Sequence, residues 1–189
     1  MRVTGMKVGL VLFACSVFLT ACGAGGAGAD IVLKINKKET PMTVKTAVFT
    51  KYDPVDLPSG KRTQGYSFIL SNFEMDKDLD KYGPDLTSAG QIKVQFALNV
   101  LEGDTKELKL KPDTYKYSAS MDAPEPKLGS FRVFMFADAK EDIWARMGGT
   151  KDSFVKLTSV TDDTVSGEIV LQDGDESVKG KFTAKLNKK

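Results

Sequence analysis

The chain contains no histidine. That absence excludes Ser-His-Asp and Cys-His nucleophilic sites, His-ligated zinc or iron, and histidine pH switching. Any catalysis would have to rest on carboxylates, lysine, tyrosine or a cofactor. Cysteine is nearly missing as well. Cys15 and Cys22 are the only two, and both lie near the start. The rest of the chain has no thiol for a disulfide, a metal or a nucleophile, so its stability must come from its core. An excess of one charge is also lacking. There are 27 basic and 25 acidic residues, and Arg2 and Lys7 account for the whole formal net charge of +2. Residues 22–189 are therefore formally neutral, with both signs interspersed, which gives no electrostatic footprint for nucleic-acid binding.

Long apolar runs are scarce. The one that stands out is Val8 to Leu19, broken by Gly9 and Ser16 and preceded by Arg2 and Lys7. At about a dozen residues it is too short to span a hydrocarbon core roughly 30 Å thick, and it has the plan of a secretory signal peptide. It runs into Leu19-Thr20-Ala21-Cys22-Gly23. Small residues fit a narrow peptidase groove, and the cysteine after them offers a thiol for acylation. This stretch resembles the lipobox of bacterial lipoproteins. The resemblance implies cleavage between Ala21 and Cys22, a diacylglycerol thioether on Cys22, and often an acyl chain (a palmitate, for example) on the new amino group. Each buried methylene contributes about 0.8 kcal/mol, so two or three chains anchor effectively permanently where one does not. Gly23 stands where an Asp would resemble an inner-membrane retention signal, so the resemblance points to the outer membrane in a Gram-negative host.

The expected organisation follows. Residues 1–21 are the signal peptide, and residues 22–30 are the lipidated cysteine with a Gly/Ala tether. Residues 31–189 form one domain. Gly23 to Ala29 offers almost no side chain to pack and behaves as a flexible linker. Seven residues reach roughly 25 Å at full extension, which keeps the domain near the membrane surface.

The dominant signal in the domain is alternation with period two, which puts one set of side chains on one face of a sheet. Ile92, Val94, Phe96, Leu98 and Val100 alternate with Gln91, Lys93, Gln95, Ala97 and Asn99. Val178, Gly180, Phe182, Ala184 and Leu186 alternate with Lys179, Lys181, Thr183, Lys185 and Asn187. Val165, Ile169 and Leu171 follow the same rule, with Val170 an exception. Ile31, Leu33 and Ile35 do so too, with Val32 an exception. Phe131 to Phe136 is almost continuously apolar, as in a strand buried on both faces. Further strands are expected in Met42 to Tyr52, in Gly65 to Asn72 and after Gly148-Gly149. Lys37-Lys38-Glu39, Thr161-Asp162-Asp163 and Asp173-Gly174-Asp175 read as turns, and residues 153–187 as an antiparallel meander without parallel pairing. Glu74 to Tyr82 and the segment with Ile143, Trp144 and Met147 have helix-like spacing.

About nine or ten strands in one domain imply an all-β fold. An antiparallel β-sandwich is the first expectation, and a closed, lipocalin-like β-barrel is the alternative. A membrane-spanning barrel is disfavoured, because the polar faces carry Lys, Gln and Asn. Lys111-Pro-Asp-Thr-Tyr, Gly148-Gly149 before a strand, Thr164-Val-Ser-Gly-Glu and Val178-Lys-Gly-Lys-Phe make Leu108 to Leu186 similar to the C-terminal part of β-sandwich domains in uncharacterised bacterial lipoproteins. That resemblance implies a fold and no activity.

Candidate chemistry is sparse. Asp76, Asp78 and Asp80 alternate near Asp85, like the start of a calcium loop. However, Lys81 stands in place of the required glycine and Thr87 in place of the bidentate Glu, so a solvated acidic loop is the better reading. Asp173, Asp175 and Glu176 form a second cluster, and Asp162-Asp163 a third. Both suit turns, and a weak calcium site arises only if the meander brings them to one end. Paired carboxylates for glycoside hydrolysis need a spatial separation that a sequence does not give. Trp144 with Tyr115, Tyr117 and Phe131 would make an aromatic platform, although core packing is the commoner fate of such residues. Lys185, Lys188 and Lys189 form only a short basic tail.

The reading is a non-catalytic binding or structural lipoprotein of the cell envelope. It has Cys22 as its lipidation site and no catalytic residue, metal ligand or cofactor. Its partners are the membrane and an envelope protein or ligand, and nucleic acid is not among them. A carrier of an apolar ligand in an internal pocket is the alternative, and a carboxylate-based glycan hydrolase a more distant one.

Overall fold

A computed structural model describes residues 30–75, 83–103, 107–118, 127–137, 140–146 and 150–187, with only the backbone for 137 and 140–146. The described residues contain no helix. They form twelve strands: β1 (Asp30–Ile35), β2 (Lys38–Thr43), β3 (Thr46–Lys51), β4 (Val55–Asp56), β5 (Arg62–Ser71), β6 (Ile92–Leu101), β7 (Thr114–Tyr117), β8 (Lys127–Ala137), β9 (Lys140–Arg146), β10 (Phe154–Val160), β11 (Thr164–Asp173) and β12 (Glu176–Leu186).

The strands do not separate into two packed sheets. They run in the order β11-β10-β7-β8-β6-β5-β3-β12, and β12 pairs back to β11, so eight strands close into a barrel. The all-β class therefore takes its closed-barrel form and not the sandwich. Closure removes the open edges that two packed sheets of these strands would leave. The meander β10-β11-β12 is antiparallel as its turns require. Closure also uses parallel pairing, which meander logic alone does not provide: β7 with β8, and β12 with β3 through Lys185↔Val48 and Leu186↔Phe49. A bond from the Asn187 amide to the Phe49 carbonyl (2.8 Å) reinforces that seam, while one from the Leu186 amide to the Asp163 carbonyl (2.9 Å) extends the β11–β12 pairing on the other edge of the strand.

The alternating sequences explain the interior. Ile92, Val94, Phe96, Leu98 and Val100 of β6 are buried, as are Val178, Phe182 and Ala184 of β12 and Val165, Ile169 and Leu171 of β11. Strand register turns this alternation into a row of rings. Phe49 lies beside Phe68, Phe68 beside Phe96, and Phe96 beside Phe131, across four neighbouring strands. Phe68 stacks on Phe96 at 4.8 Å and on Phe49 at 5.5 Å, and Phe182 meets Phe68 and Phe96 edge-on at 5.7 and 5.5 Å. Eight-stranded barrels have an interior just wide enough for side chains to fill. Here phenylalanine fills its middle.

The β1–β2 hairpin lies beside the barrel wall. β1 continues the sheet from the first half of β12 (Ile31↔Gly180 to Lys34↔Ser177), while β3 meets the last turns of the same strand edge. Ile31, Leu33 and Met42 join the barrel core, and Val32 points outward at 43% exposure. The turn falls at Asn36-Lys37, one residue earlier than the sequence implies. Both have positive φ (52° and 63°), as a type I′ turn demands, and Lys38 and Glu39 already belong to β2. Pro41 and the charges of β2 suit the sheet edge on which it lies.

Other expectations change. The segment containing Ile143 and Trp144 is strand β9, paired with β8 (Phe134↔Ile143, Val133↔Trp144). Cross-strand pairing overrides the helix-like spacing there. Most of Glu74 to Tyr82, with Asp76, Asp78, Asp80 and Lys81, lies outside the described residues. Lys93, whose place in the alternation is the water-facing side, is only 2% exposed. Its Nζ donates to the Pro84 carbonyl at 2.7 Å and sits 4.4 Å from the centre of the Phe134 ring. Leu86, Ile69 and Phe134 are buried with it on the outer wall, so the loop before β6 covers this face.

Candidate functional site at the barrel mouth

The end of the barrel that carries the β10–β11 turn is not filled flush. A cavity of about 290 Å³ opens there. Its apolar lining comes from Phe49 of β3, Tyr66 of β5, Leu110, Val165 of β11 and Leu186 of β12. Lys51, Lys109, Thr161 and Asp162 are exposed and form its rim. The alternation that builds the core builds this lining too. Phe49 and Val165 are the last buried inward positions of their strands at this end, and Tyr66 is followed only by Gln64.

One wall is a strap, residues 107–111, that leaves the sheet after β6 and crosses toward β7. Two buried tyrosines hold it. The Tyr66 hydroxyl donates to the Leu108 carbonyl at 2.7 Å. The Tyr115 hydroxyl accepts from the Lys111 amide at 3.0 Å and donates to the Lys111 carbonyl at 3.1 Å. Burial pushes both phenols above the ordinary tyrosine value. The Leu110 backbone opposes that rise at Tyr66, and the Lys111 backbone opposes it at Tyr115. A smaller cavity of about 150 Å³, lined by Lys109, Lys111 and Tyr115 among others, lies along the same strap.

The rim is electrostatically open. Among the described residues, no acid lies within ion-pair distance of Lys51 or Lys109, and no base within that distance of Asp162. Nearby, Glu107 is engaged by Lys111 at 3.4 Å, and Asp113 accepts from the Thr114 amide at 2.6 Å. The mouth cavity itself has one carboxylate, Asp162, where glycoside hydrolysis needs two.

The other candidates disperse. Asp162 and Asp163 sit at one end of β11, and Asp173, Asp175 and Glu176 at the other, about 30 Å away at 3.3 Å per residue. The meander therefore does not bring the two acidic turns together. Among the described residues no three acids gather as a metal site. Asp85 and Thr87 are described, but the rest of the calcium-like loop is not. The proposed aromatic platform does not form from its described members. Tyr115 and Phe131 are each 1% exposed within the core, and Tyr117 packs against it. For Trp144 only the backbone is described. Lys185 is exposed on β12, while Lys188 and Lys189 lie outside the described residues. Sequence reasoning singled out Asp162, Val165 and Leu186 as turn and strand residues. It did not single out Phe49, Lys51, Tyr66, Lys109 or Leu110 as neighbours, because they meet only when the barrel closes.

The outer face also bears on function. Lys179, Lys181, Thr183 and Lys185 are exposed along β12, and the exposed large apolar residues described are Val32 and Val55 (43% and 56%). A membrane-spanning barrel carries an apolar belt on that side. No described helix is long and apolar enough to cross a membrane. Compared with protein-family models, curated proteins and solved structures, the chain matches none.

Proposed function

We propose that this protein is a lipid-anchored, non-catalytic binding module of the cell envelope, with the barrel mouth as its binding place. The observation that carries the reading is the mouth cavity, with an apolar floor, a charged rim and a single carboxylate. Binding sites are typically concave, mostly apolar and orientated by a few polar groups. The lipobox-like Leu19-Thr20-Ala21-Cys22 supports the anchor, and Gly23 supports an outer-membrane location. The Gly/Ala tether ends where β1 begins at Asp30, so the barrel would stand within about 25 Å of the lipid. The stacked phenylalanines favour a ligand at the mouth over one enclosed at the barrel's centre.

Two measurements test this reading. Intact mass and membrane fractionation, with Cys22→Ser as control, should find an acylated chain beginning at Cys22 whose membrane association the substitution abolishes. An unmodified chain in the soluble fraction would sink the anchor. Native mass spectrometry on protein from its host should find a bound small molecule that Leu110→Trp, which fills the cavity, removes. An adduct that persists in that variant would place binding elsewhere.

A further inference from the structure

We infer that the mouth cavity takes a free, single-chain carboxylate of medium length, with its tail inside and its carboxylate at Lys51 and Lys109. The inference rests on the binding-module reading and adds the ligand class. Size comes first. A cavity of about 290 Å³ lies at the small end of the range for small-molecule sites, roughly 300–1,000 Å³. That suits one medium-length acyl chain better than a two-chain lipid. Polarity comes next. Phe49, Leu110, Val165 and Leu186 offer a tail no hydrogen bond, which favours methylenes over a sugar or a peptide.

Charge then sets the head group. Lys51 leaves β3 and Lys109 lies on the strap, so the two ammonium groups reach the rim from separate elements. Neither is neutralised by a described acid. An amphiphile whose tail fills the cavity leaves its head at that rim, where a carboxylate meets two cations. Asp162 stands on the same rim and leaves it with one net positive charge. That balance attracts an anionic head and is neutralised by a single carboxylate.

The test is titration calorimetry on the whole chain carrying Cys22→Ser, which removes the covalent acyl groups that would compete. The probes are decanoate, decanol and decyl phosphate, each below its micelle concentration. Decanoate should saturate one site and bind about tenfold more tightly than decanol, with decyl phosphate reporting whether any anionic head suffices. The double variant Lys51→Gln/Lys109→Gln should weaken decanoate about tenfold and leave decanol unchanged. Leu110→Trp should abolish binding of all three, and Val160→Trp, at the end of β10 where that residue also lines the cavity, serves the same purpose if Leu110→Trp fails to fold. Decanol matching decanoate, with both lost on filling the cavity, overturns the carboxylate assignment and leaves the mouth as a binding place. Decanoate binding that survives both tryptophan variants, or no binding of any probe, overturns the inference. The host-derived adduct test then still judges the broader reading.

Discussion

The Tyr66 hydroxyl donates to the carbonyl of Leu108 across 2.7 Å, tying the strap to the strand that forms the opposite wall of the mouth. Forty-two residues separate the pair in sequence. The bond belongs to the architecture of the cavity, because it fixes Lys109 and Leu110 between Tyr66 and Tyr115. Tyr66→Phe removes the donor and keeps the ring. We expect a loss of about 1 kcal/mol in urea denaturation, with faster hydrogen exchange at the amides of residues 107–111. Unchanged exchange in the strap would show that Tyr115 alone holds it.

The same tyrosines make stability depend on pH at the alkaline end. Burial is the first cause of the upward shift at both, and at Tyr115 the negative charges of Asp113 and Tyr66 add to it. The folded state therefore holds these phenolic protons more tightly than the unfolded chain does. Their contribution is complete below the unfolded tyrosine value of 10.0 and is lost as pH rises through the higher folded values. Stability measured against pH should hold steady on approaching that point from below and then fall, in step with phenolate absorbance. Tyr66→Phe/Tyr115→Phe should shallow the fall. An equally steep fall in the double variant would assign it to other groups.

Two glycines mark places where strands touch backbone to backbone. A Cβ at Gly180 would collide with the Asp30 carbonyl oxygen and lie 2.8 Å from the Ile31 Cα, and Gly180 also has φ of 157°. A Cβ at Gly167 would lie 2.5 Å from the Lys156 carbonyl oxygen, next to the bulge between Leu157 and Ser159. Gly180→Ala and Gly167→Ala should each cost about 2–4 kcal/mol in thermal or urea unfolding, in the upper range for backbone strain. Gly103→Ala, with nothing within 4 Å, should stay within about 0.5 kcal/mol of the parent.

Phe182 is the ring that β12 contributes to the central stack, edge-on to Phe68 and Phe96. Phe182→Ala should cost about 3–5 kcal/mol, since packed walls collapse only partly into the space left behind. Phe182→Leu should recover more than half of that loss. Val55→Ser, at an exposed position, is the neutral comparison.

Much of the wall was legible. Period-two alternation located β6, β11 and β12, and even its exception at Val32 reports a side chain that faces water. Closure was not legible. The β3–β12 contact joins Val48 and Phe49 to Lys185 and Leu186 through only two residue pairs, and no periodicity carries information across that separation. A sandwich and a barrel place the same residues inward and differ only at such seams. Lys93 was misread for a related reason: alternation says which face a residue takes, not whether a loop later covers that face. The mouth cavity draws on five separate segments, so its members had no common pattern to show.

β12 has β11 along one edge, and β1 and then β3 along the other. It is also the last strand described. A chain that emerges N-terminus first, from a ribosome or through a membrane pore, therefore carries β1, β3 and β11 each short of a neighbour until residues 176–187 arrive. Assembly cannot finish progressively, and the open edges must be kept from pairing with other chains in the interval. A premature stop just before Glu176 would not trim a tail. It would leave three strands without a shared partner and turn a closed container into an adhesive sheet.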